Sequence, residues 1–66
     1  MEVFVNGSAR DLPDGSTVAE LIEMLGLAHL RLAVEINREI IPRSAYPEHR
    51  LKPSDRIEIV RAIGGG

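Results

Sequence analysis

The segment Thr17–Gly26, TVAELIEMLG, carries a clear helical pattern, and the rest of the fold can be predicted around this helix. Thr17 and Glu20 have the spacing of a capping box, in which each side chain accepts a hydrogen bond from the other residue's backbone N–H. The apolar residues recur at the i, i+3, i+4 and i+7 positions of one helix face, and they are Val18, Leu21, Ile22 and Leu25. Gly26 suits the left-handed conformation that ends many helices. The pattern predicts a helix over about residues 18–25.

The residues before this helix predict a β-hairpin. Val3-Phe4-Val5 is a run of residues that favour strands, and Asn6-Gly7 supplies the two positive φ angles of a type I′ turn. We therefore expect a first strand over about residues 2–6 and a second over about 8–12. Pro13-Asp14-Gly15 then predicts a turn that leads into the helix.

Three more strands are predicted after the helix. Leu32–Ile36 has apolar residues at alternate positions, and a turn over residues 37–39 separates it from a short strand at Ile40-Ile41. Residues 43–50 have no clear period and are expected to form a loop, whereas residues 56–62 predict the last strand. The order β-β-α-β-β-β favours an α+β fold, in which one helix covers one face of a single sheet. The other face of the sheet must then be open.

The composition of the chain bounds its function. A chain of 66 residues forms one domain at most, with little room for a deep active-site cavity. The sequence has no cysteine, which excludes disulfides, thiolate nucleophiles and thiolate metal sites. His29 and His49 do not have the spacing of metal ligands, and no serine lies in a nucleophile-elbow motif. We therefore expect no catalytic residue, no metal site and no intrinsically bound cofactor.

Charge and hydropathy bear on the class of partner. The formal net charge is −2, and the basic residues are interleaved with acidic ones, which argues against nucleic-acid binding. No apolar run approaches the ~20 residues that span a membrane, and the first residues lack the features of a signal peptide. We therefore expect a cytoplasmic protein without a membrane partner. An alternative interpretation of the charge is a weakly basic face near the C-terminus that meets an acidic protein.

The glycines Gly64-Gly65-Gly66 follow closely after the last predicted strand. Because glycine has no side chain, this segment could enter a channel that is too narrow for any Cβ atom. From Ala62 to Gly66 an extended chain reaches about 16–18 Å beyond the sheet, enough to bring a terminal carboxylate into a partner's active site. We predict a domain over residues 1–62 and a flexible tail over residues 63–66. The other interpretation is a frayed glycine end without function.

Several motifs together resemble the ThiS family, the sulfur carriers of thiamine biosynthesis, over essentially the whole chain. They are Asn6-Gly7, Thr17–Leu21, Ala33–Asn37, Ile41–Ser44 with Tyr46, Asp55–Val60 and Ile63–Gly66. The terminal glycines are shared by all ubiquitin-like carriers, whereas the middle block and the length are more specific. One departure lies in the turn before the last strand, where the family usually has Gly-Asp and this chain has Ser54-Asp55.

The resemblance implies a ubiquitin-like β-grasp fold, with a mixed sheet of four to five strands whose first and last strands are parallel and central. It also implies a reaction cycle for Gly66. A ThiF-like adenylyltransferase would adenylate the Gly66 carboxylate with ATP, and a sulfur donor such as a cysteine desulfurase would supply sulfur for a thiocarboxylate. Thiazole synthase, ThiG, would then take up that sulfur. The tail that enters the partner's active site would consist of Ile63, Gly64, Gly65 and Gly66.

The alternation of side chains within this fold predicts a core and an open face. The expected core consists of Val3, Val5, Val18, Leu21, Ile22, Leu25, Leu32, Val34, Ile36, Leu51, Ile57 and Ile59. On the open face we expect Phe4 and Val60 to lie side by side, as part of the docking patch for the activating enzyme. Arg61 is a further docking candidate because it flanks the tail.

Other functions stay open at this stage. The small subunit of molybdopterin synthase would share the fold and the tail, but that family is typically longer and has a proline before its glycines, unlike Ile59–Ile63 here. A carrier for cysteine or other sulfur metabolism is another possibility. A β-grasp module that only docks would belong to a different class, because it would not need Gly66 at its terminus. An enzyme is the least favoured reading.

Overall fold

The structure, a computed structural model, describes residues 1–61. The elements, in chain order, are the strands β1 (Glu2–Val5) and β2 (Ser8–Asp11), the helix α1 (Val18–Met24), the strands β3 (Leu32–Ile36) and β4 (Glu39–Ile41), a 3₁₀-helix (Arg43–Ala45) and the strand β5 (Arg56–Arg61). The order of strands and helix expected from the sequence is confirmed. The 3₁₀-helix lies in the segment that was expected to be an irregular loop.

Within residues 1–61, the five strands form one mixed sheet in the order β2-β1-β5-β3-β4. The pair β1 and β5 is parallel, whereas β2 pairs antiparallel with β1, and β3 pairs antiparallel with both β4 and β5. The first and last strands are therefore neighbours near the middle of the sheet. This arrangement of an α+β sheet with one helix confirms the β-grasp expectation.

Two tight turns build the hairpins of this sheet. Asn6 and Gly7 have φ angles of 50° and 85°, as a type I′ turn requires. Asn37 and Arg38 have φ angles of 51° and 70° and form the second turn. That turn is one residue shorter than expected, because Glu39 already pairs with Ile36 in the sheet.

Capping residues delimit α1 at both ends. The Glu20 N–H donates to Thr17 Oγ1 at 3.1 Å, and the Thr17 N–H donates to Glu20 Oε1 at 2.8 Å, which confirms the capping box. At the other end Gly26 has a φ of 73°, and the Leu27 N–H donates to the Ile22 carbonyl at 3.0 Å. Together with the bond from the Gly26 N–H to the Glu23 carbonyl, this is a Schellman motif.

The core lies between α1 and one face of the sheet. Its buried apolar residues are Val3, Val5, Leu12, Val18, Leu21, Ile22, Val34, Ile36, Ile41, Leu51, Ile57 and Ile59. The prediction that Leu25 and Leu32 belong to the core is only partly right, because both are half-buried at the ends of their elements and pack against the core. Leu12 and Ile41 are buried instead.

The burial of these two residues follows from strand pairing. Leu12 donates its N–H to the Met1 carbonyl at 2.8 Å, which continues the β1–β2 ladder by one residue and turns the Leu12 side chain to the helix side. Ile41 lies opposite Val34 and so shares its face. No helix within residues 1–61 is long and apolar enough to cross a membrane.

Candidate functional site

The strand β5 is the element that leads to the predicted tail. It lies between β1 and β3 and runs parallel to β1. The predicted end of this strand at Ala62 and the tail residues Ile63, Gly64, Gly65 and Gly66 lie outside the described residues. The site is therefore described from the strand that carries the tail and from the groups that hold this strand.

The two neighbours of β5 hold it over different lengths. On one side β3 pairs with it from Ile57, opposite Ile36, to Arg61, opposite Leu32. On the other side β1 pairs only through its last two residues, with Val5 opposite Ile57. The half of β5 nearest the tail thus extends past the end of β1.

The side chain of Asn6 continues the pairing where β1 ends. The Asn6 backbone N–H donates to the Ile57 carbonyl at 2.9 Å. The Asn6 amide Nδ2 then donates to the Ile59 carbonyl at 3.1 Å, and the Ile59 N–H donates to Asn6 Oδ1 at 2.9 Å. One side chain therefore provides both bonds that a backbone neighbour would make. The sequence interpretation missed this role, because Asn6 was assigned to the hairpin turn alone.

A second asparagine holds the start of β5. Asn37 Nδ2 donates to Asp55 Oδ1 at 3.0 Å, and the Arg56 N–H donates to Asn37 Oδ1 at 3.0 Å. The other oxygen of Asp55, Oδ2, accepts the Lys52 N–H at 2.8 Å. Asp55 is only 8% exposed, so this carboxylate organises the turn into β5 from within the fold.

Ser54, where the sequence departs from the Gly-Asp that the resemblance led us to expect, has a φ of 70°. This is the left-handed region, which glycine adopts without strain and other residues adopt at a cost. Its N–H donates to the Glu2 carbonyl at 2.7 Å, so the turn is tied to the start of β1. The departure from Gly-Asp thus leaves the turn in a conformation that glycine would favour.

The prediction that Phe4 and Val60 lie side by side is wrong. Phe4 lies opposite Arg56, and Val60 lies four residues farther along β5, about 13 Å away at the usual rise per strand residue. Both residues do lie on the open face of the sheet, since side chains two positions apart along a strand share a face. Val60 is 59% exposed, and its neighbour across the sheet is Ala33.

Arg61 lies on the opposite side of the sheet from Val60. It alternates with Val60 along β5 and shares the face of Ile59, although it is itself exposed. The three docking candidates therefore do not form one continuous patch.

The open face combines apolar and charged side chains. The Cζ atom of Arg56 lies 5.7 Å from the centroid of the Phe4 ring, within the range of a cation–π contact. Ile40 of β4 lies opposite Glu35 of β3 and is 74% exposed, so it adds an apolar side chain to this face. The sequence interpretation did not assign it to this face, although the alternation of side chains along the strand could have identified it. A surface depression on this face is lined by Glu35, Asn37, Arg38, Arg56 and Glu58.

Within residues 1–61, two groups have shifted pKa values, and both lie away from this face. The hydrogen bond to Asp14 raises the pKa of the Met1 amino group, with Asp11 adding to the effect. Burial raises the pKa of the Tyr46 hydroxyl. Among the described residues no cluster of three or more histidine, aspartate or glutamate side chains is arranged to hold a metal ion.

Comparison with known proteins connects this geometry to a family. A sequence model described as the ThiS family matches residues 3–66. The sulfur carrier protein ThiS of Escherichia coli is 33% identical over 66 residues, which cover all of both chains. The crystal structure of a thiamine biosynthesis protein (ThiS) from Geobacter metallireducens matches over the full length of both chains with a TM-score of 0.86 and 30% identity.

A second group of relatives is much longer. A thiazole synthase of Paramagnetospirillum magneticum is 39% identical over 66 residues, which are all of this chain but 20% of that protein. A thiazole synthase of Magnetococcus marinus is 36% identical with the same coverage. The chain thus spans about one fifth of the length of these two relatives.

Proposed function

Because this chain belongs to the ThiS family, the sulfur carriers of thiamine biosynthesis, we propose that Gly66 is the residue on which it carries sulfur. The Gly66 carboxylate would be adenylated by a ThiF-like enzyme with ATP. A free carboxylate is a poor electrophile, whereas an acyl-adenylate has AMP as a leaving group that a sulfur nucleophile can replace. The products would be AMP and a thiocarboxylate; where a donor such as a cysteine desulfurase delivers the sulfur as a persulfide, a thiol would supply the two electrons that release the thiocarboxylate.

The observation that carries this proposal is the position of β5. The strand is held by β3 up to Arg61 and by Asn6 at Ile59, so the residues that follow it start from a fixed base. From there the five residues to Gly66 can reach about 16–18 Å when extended. That reach supports delivery of the terminal group to a catalytic centre in another protein. The chain itself would supply no catalytic group and bind no cofactor, and the activating partner would use the ATP.

Thiazole synthase, ThiG, is the acceptor that the comparisons favour. Two thiazole synthases contain a stretch similar to this entire chain, so a carrier-like segment and a thiazole synthase occur there in one polypeptide. This supports thiazole formation over molybdopterin synthesis as the destination of the sulfur. We expect the cycle to run in the cytoplasm, where ATP is available to the activating enzyme.

The open face is the proposed docking surface for the activating enzyme. Phe4 with Arg56 above it and the exposed Val60 offer apolar area beside charged groups, the combination found in protein interfaces. Arg61, on the other side of β5, would contact the partner where the tail enters it. Ile63 would follow the same path, in front of the three glycines.

Intact mass spectrometry tests the proposal. The carrier is incubated with a ThiF-type enzyme, ATP and a sulfur donor, beside one variant that lacks Gly66 and another with an alanine added after Gly66. A mass gain that matches one oxygen-to-sulfur exchange, present only with the unaltered terminus, is the expected result. An equal gain in all three proteins would place the sulfur elsewhere and refute the role of Gly66.

A further inference from the structure

The contact between Asn6 and Ile59 has a geometry that the hairpin turn does not require. A type I′ turn needs a positive φ at its first residue, and asparagine, aspartate and glycine all provide it. Holding Ile59 requires in addition one donor and one acceptor on the same side chain. The short side chain of asparagine supplies both: Nδ2 lies 3.1 Å from the Ile59 carbonyl oxygen, and Oδ1 lies 2.9 Å from the Ile59 nitrogen.

The contact between Asn6 and Ile59 lies near the end of β5 that leads to the tail. Ile59 lies two residues past Ile57, the last residue of β5 that pairs with β1, and two residues before Arg61, the end of the described chain. On the β1 side, Asn6 thus takes over as the partner of β5 just before the strand leads to the tail.

We propose that Asn6 is a positioning residue for sulfur loading, because its side chain fixes the direction in which β5 delivers the tail. This inference rests on the proposed function of Gly66. Gly66 is the seventh residue after Ile59, at a distance of at most about 23–25 Å along an extended chain. A change of about 10° in the direction of the strand at Ile59 would displace the end of β5 at Arg61, two residues farther on, by roughly 1 Å. A displacement of that size in the point from which the tail enters the partner can lower the reaction rate strongly.

The chain contains a matched control for this residue. Asn37 is also the first residue of a two-residue turn with positive φ angles, and its Oδ1 also accepts a backbone N–H of β5, that of Arg56. It acts at the opposite end of the strand, far from the tail. Its Nδ2 also bonds the buried Asp55, so its loss should destabilise the fold at least as much as the loss of the Asn6 amide.

Hydrogen exchange of the full chain tests the structural part of the proposal. Asn6→Gly and Asn37→Gly keep residues that tolerate a positive φ and remove only the amide groups. In Asn6→Gly we expect the Ile59 N–H to exchange about tenfold faster while the Arg56 N–H changes little, and in Asn37→Gly the reverse. If both variants accelerate the two amides equally, Asn6 only stabilises the fold and the proposal is overturned.

The functional part is tested by carrier-dependent exchange of pyrophosphate into ATP by a ThiF-type enzyme. Because the open face is intact in Asn6→Gly, we expect kcat to fall about tenfold while KM for the carrier stays within about twofold. Asn37→Gly should keep kcat near that of the unaltered protein; because Asn37 lines the depression on the open face, a change in its KM alone would not count against the proposal. Asn6→Asp keeps the acceptor for the Ile59 N–H but loses the donor, and should give an intermediate kcat.

The outcomes separate the two proposals. A normal kcat for Asn6→Gly, or an equal loss in Asn37→Gly, would overturn the positioning role while leaving Gly66 as the carrier residue. If the unaltered protein is not adenylated by an enzyme proven active on another carrier, the proposed function fails and tail delivery fails with it. The hydrogen-exchange comparison then still decides whether Asn6 anchors β5.

Discussion

The guanidinium group of Arg56 lies over the ring of Phe4, with its Cζ atom 5.7 Å from the ring centroid. The two residues face each other across the parallel pair β1–β5, on the side of the sheet that α1 does not cover. The contact places a cation on an aromatic side chain at the start of the strand that leads to the tail. It makes Phe4 a defined element of the open face, about 13 Å from Val60 along β5.

Phe4→Ala should weaken the docking of the activating enzyme. Loss of the ring removes apolar area from the open face and leaves Arg56 without its partner, so we expect KM for the carrier to rise about tenfold with kcat little changed. Met24→Ala is the matched control, because Met24 is 54% exposed on the helix side. Steady-state adenylation at limiting carrier measures the effect, and circular dichroism should show unchanged helix content. Adenylation of Phe4→Ala at the normal rate would contradict the docking role.

Ser54→Gly should stabilise the protein. The φ of 70° costs a serine about 1–2 kcal/mol and a glycine almost nothing, whereas glycine adds about 0.4–1 kcal/mol of unfolded-state entropy. The free energy of unfolding in urea should therefore rise by about 0.5 kcal/mol. Ser44→Gly, in the 3₁₀-helix and outside the positive-φ residues, should lower it instead. Equal effects of the two substitutions would argue against strain at Ser54.

Asp55→Ala should destabilise the turn into β5. The substitution removes the acceptors of the Lys52 N–H and of Asn37 Nδ2 from a buried position, which should cost about 2–4 kcal/mol. Asp55→Asn retains one acceptor and the side-chain volume, and should cost about half as much. Urea unfolding of both variants measures the difference. A cost below about 1 kcal/mol for Asp55→Ala would mean that the network contributes little.

Leu12→Ala and Leu25→Ala test whether the stability of the protein follows the observed core or the core that was expected from the sequence. Leu12 is 2% exposed, so its truncation should cost about 2–4 kcal/mol, whereas half-buried Leu25 should cost about half of that. A domain of this size has about 3–10 kcal/mol in total, so Leu12→Ala should be partly unfolded near physiological temperature. Thermal unfolding followed by circular dichroism provides the comparison. A larger loss for Leu25→Ala would reverse the observed order of burial.

Local patterns accounted for much of the architecture. The capping box of Thr17 and Glu20, the type I′ turn at Asn6-Gly7 and the alternation in Leu32–Ile36 each depend on residues that are adjacent or one helical turn apart. Such patterns act through backbone dihedral angles and short-range hydrogen bonds, so they are visible in the sequence. The proposed role of Gly66 also came from the sequence, through the resemblance of its motifs to one family.

The strands, the α-helix, their order, most of the core and the family could all be predicted from the sequence, whereas the 3₁₀-helix could not. Three features became visible only in the folded chain: Phe4 meets Arg56 rather than Val60, Leu12 and Ile41 complete the core, and Asn6 holds Ile59, 53 positions farther along the chain. The physical reason is that register between distant strands is set by how whole side-chain layers pack against the helix. No short stretch of residues encodes that packing, so the base from which the tail is delivered becomes visible only in the folded chain.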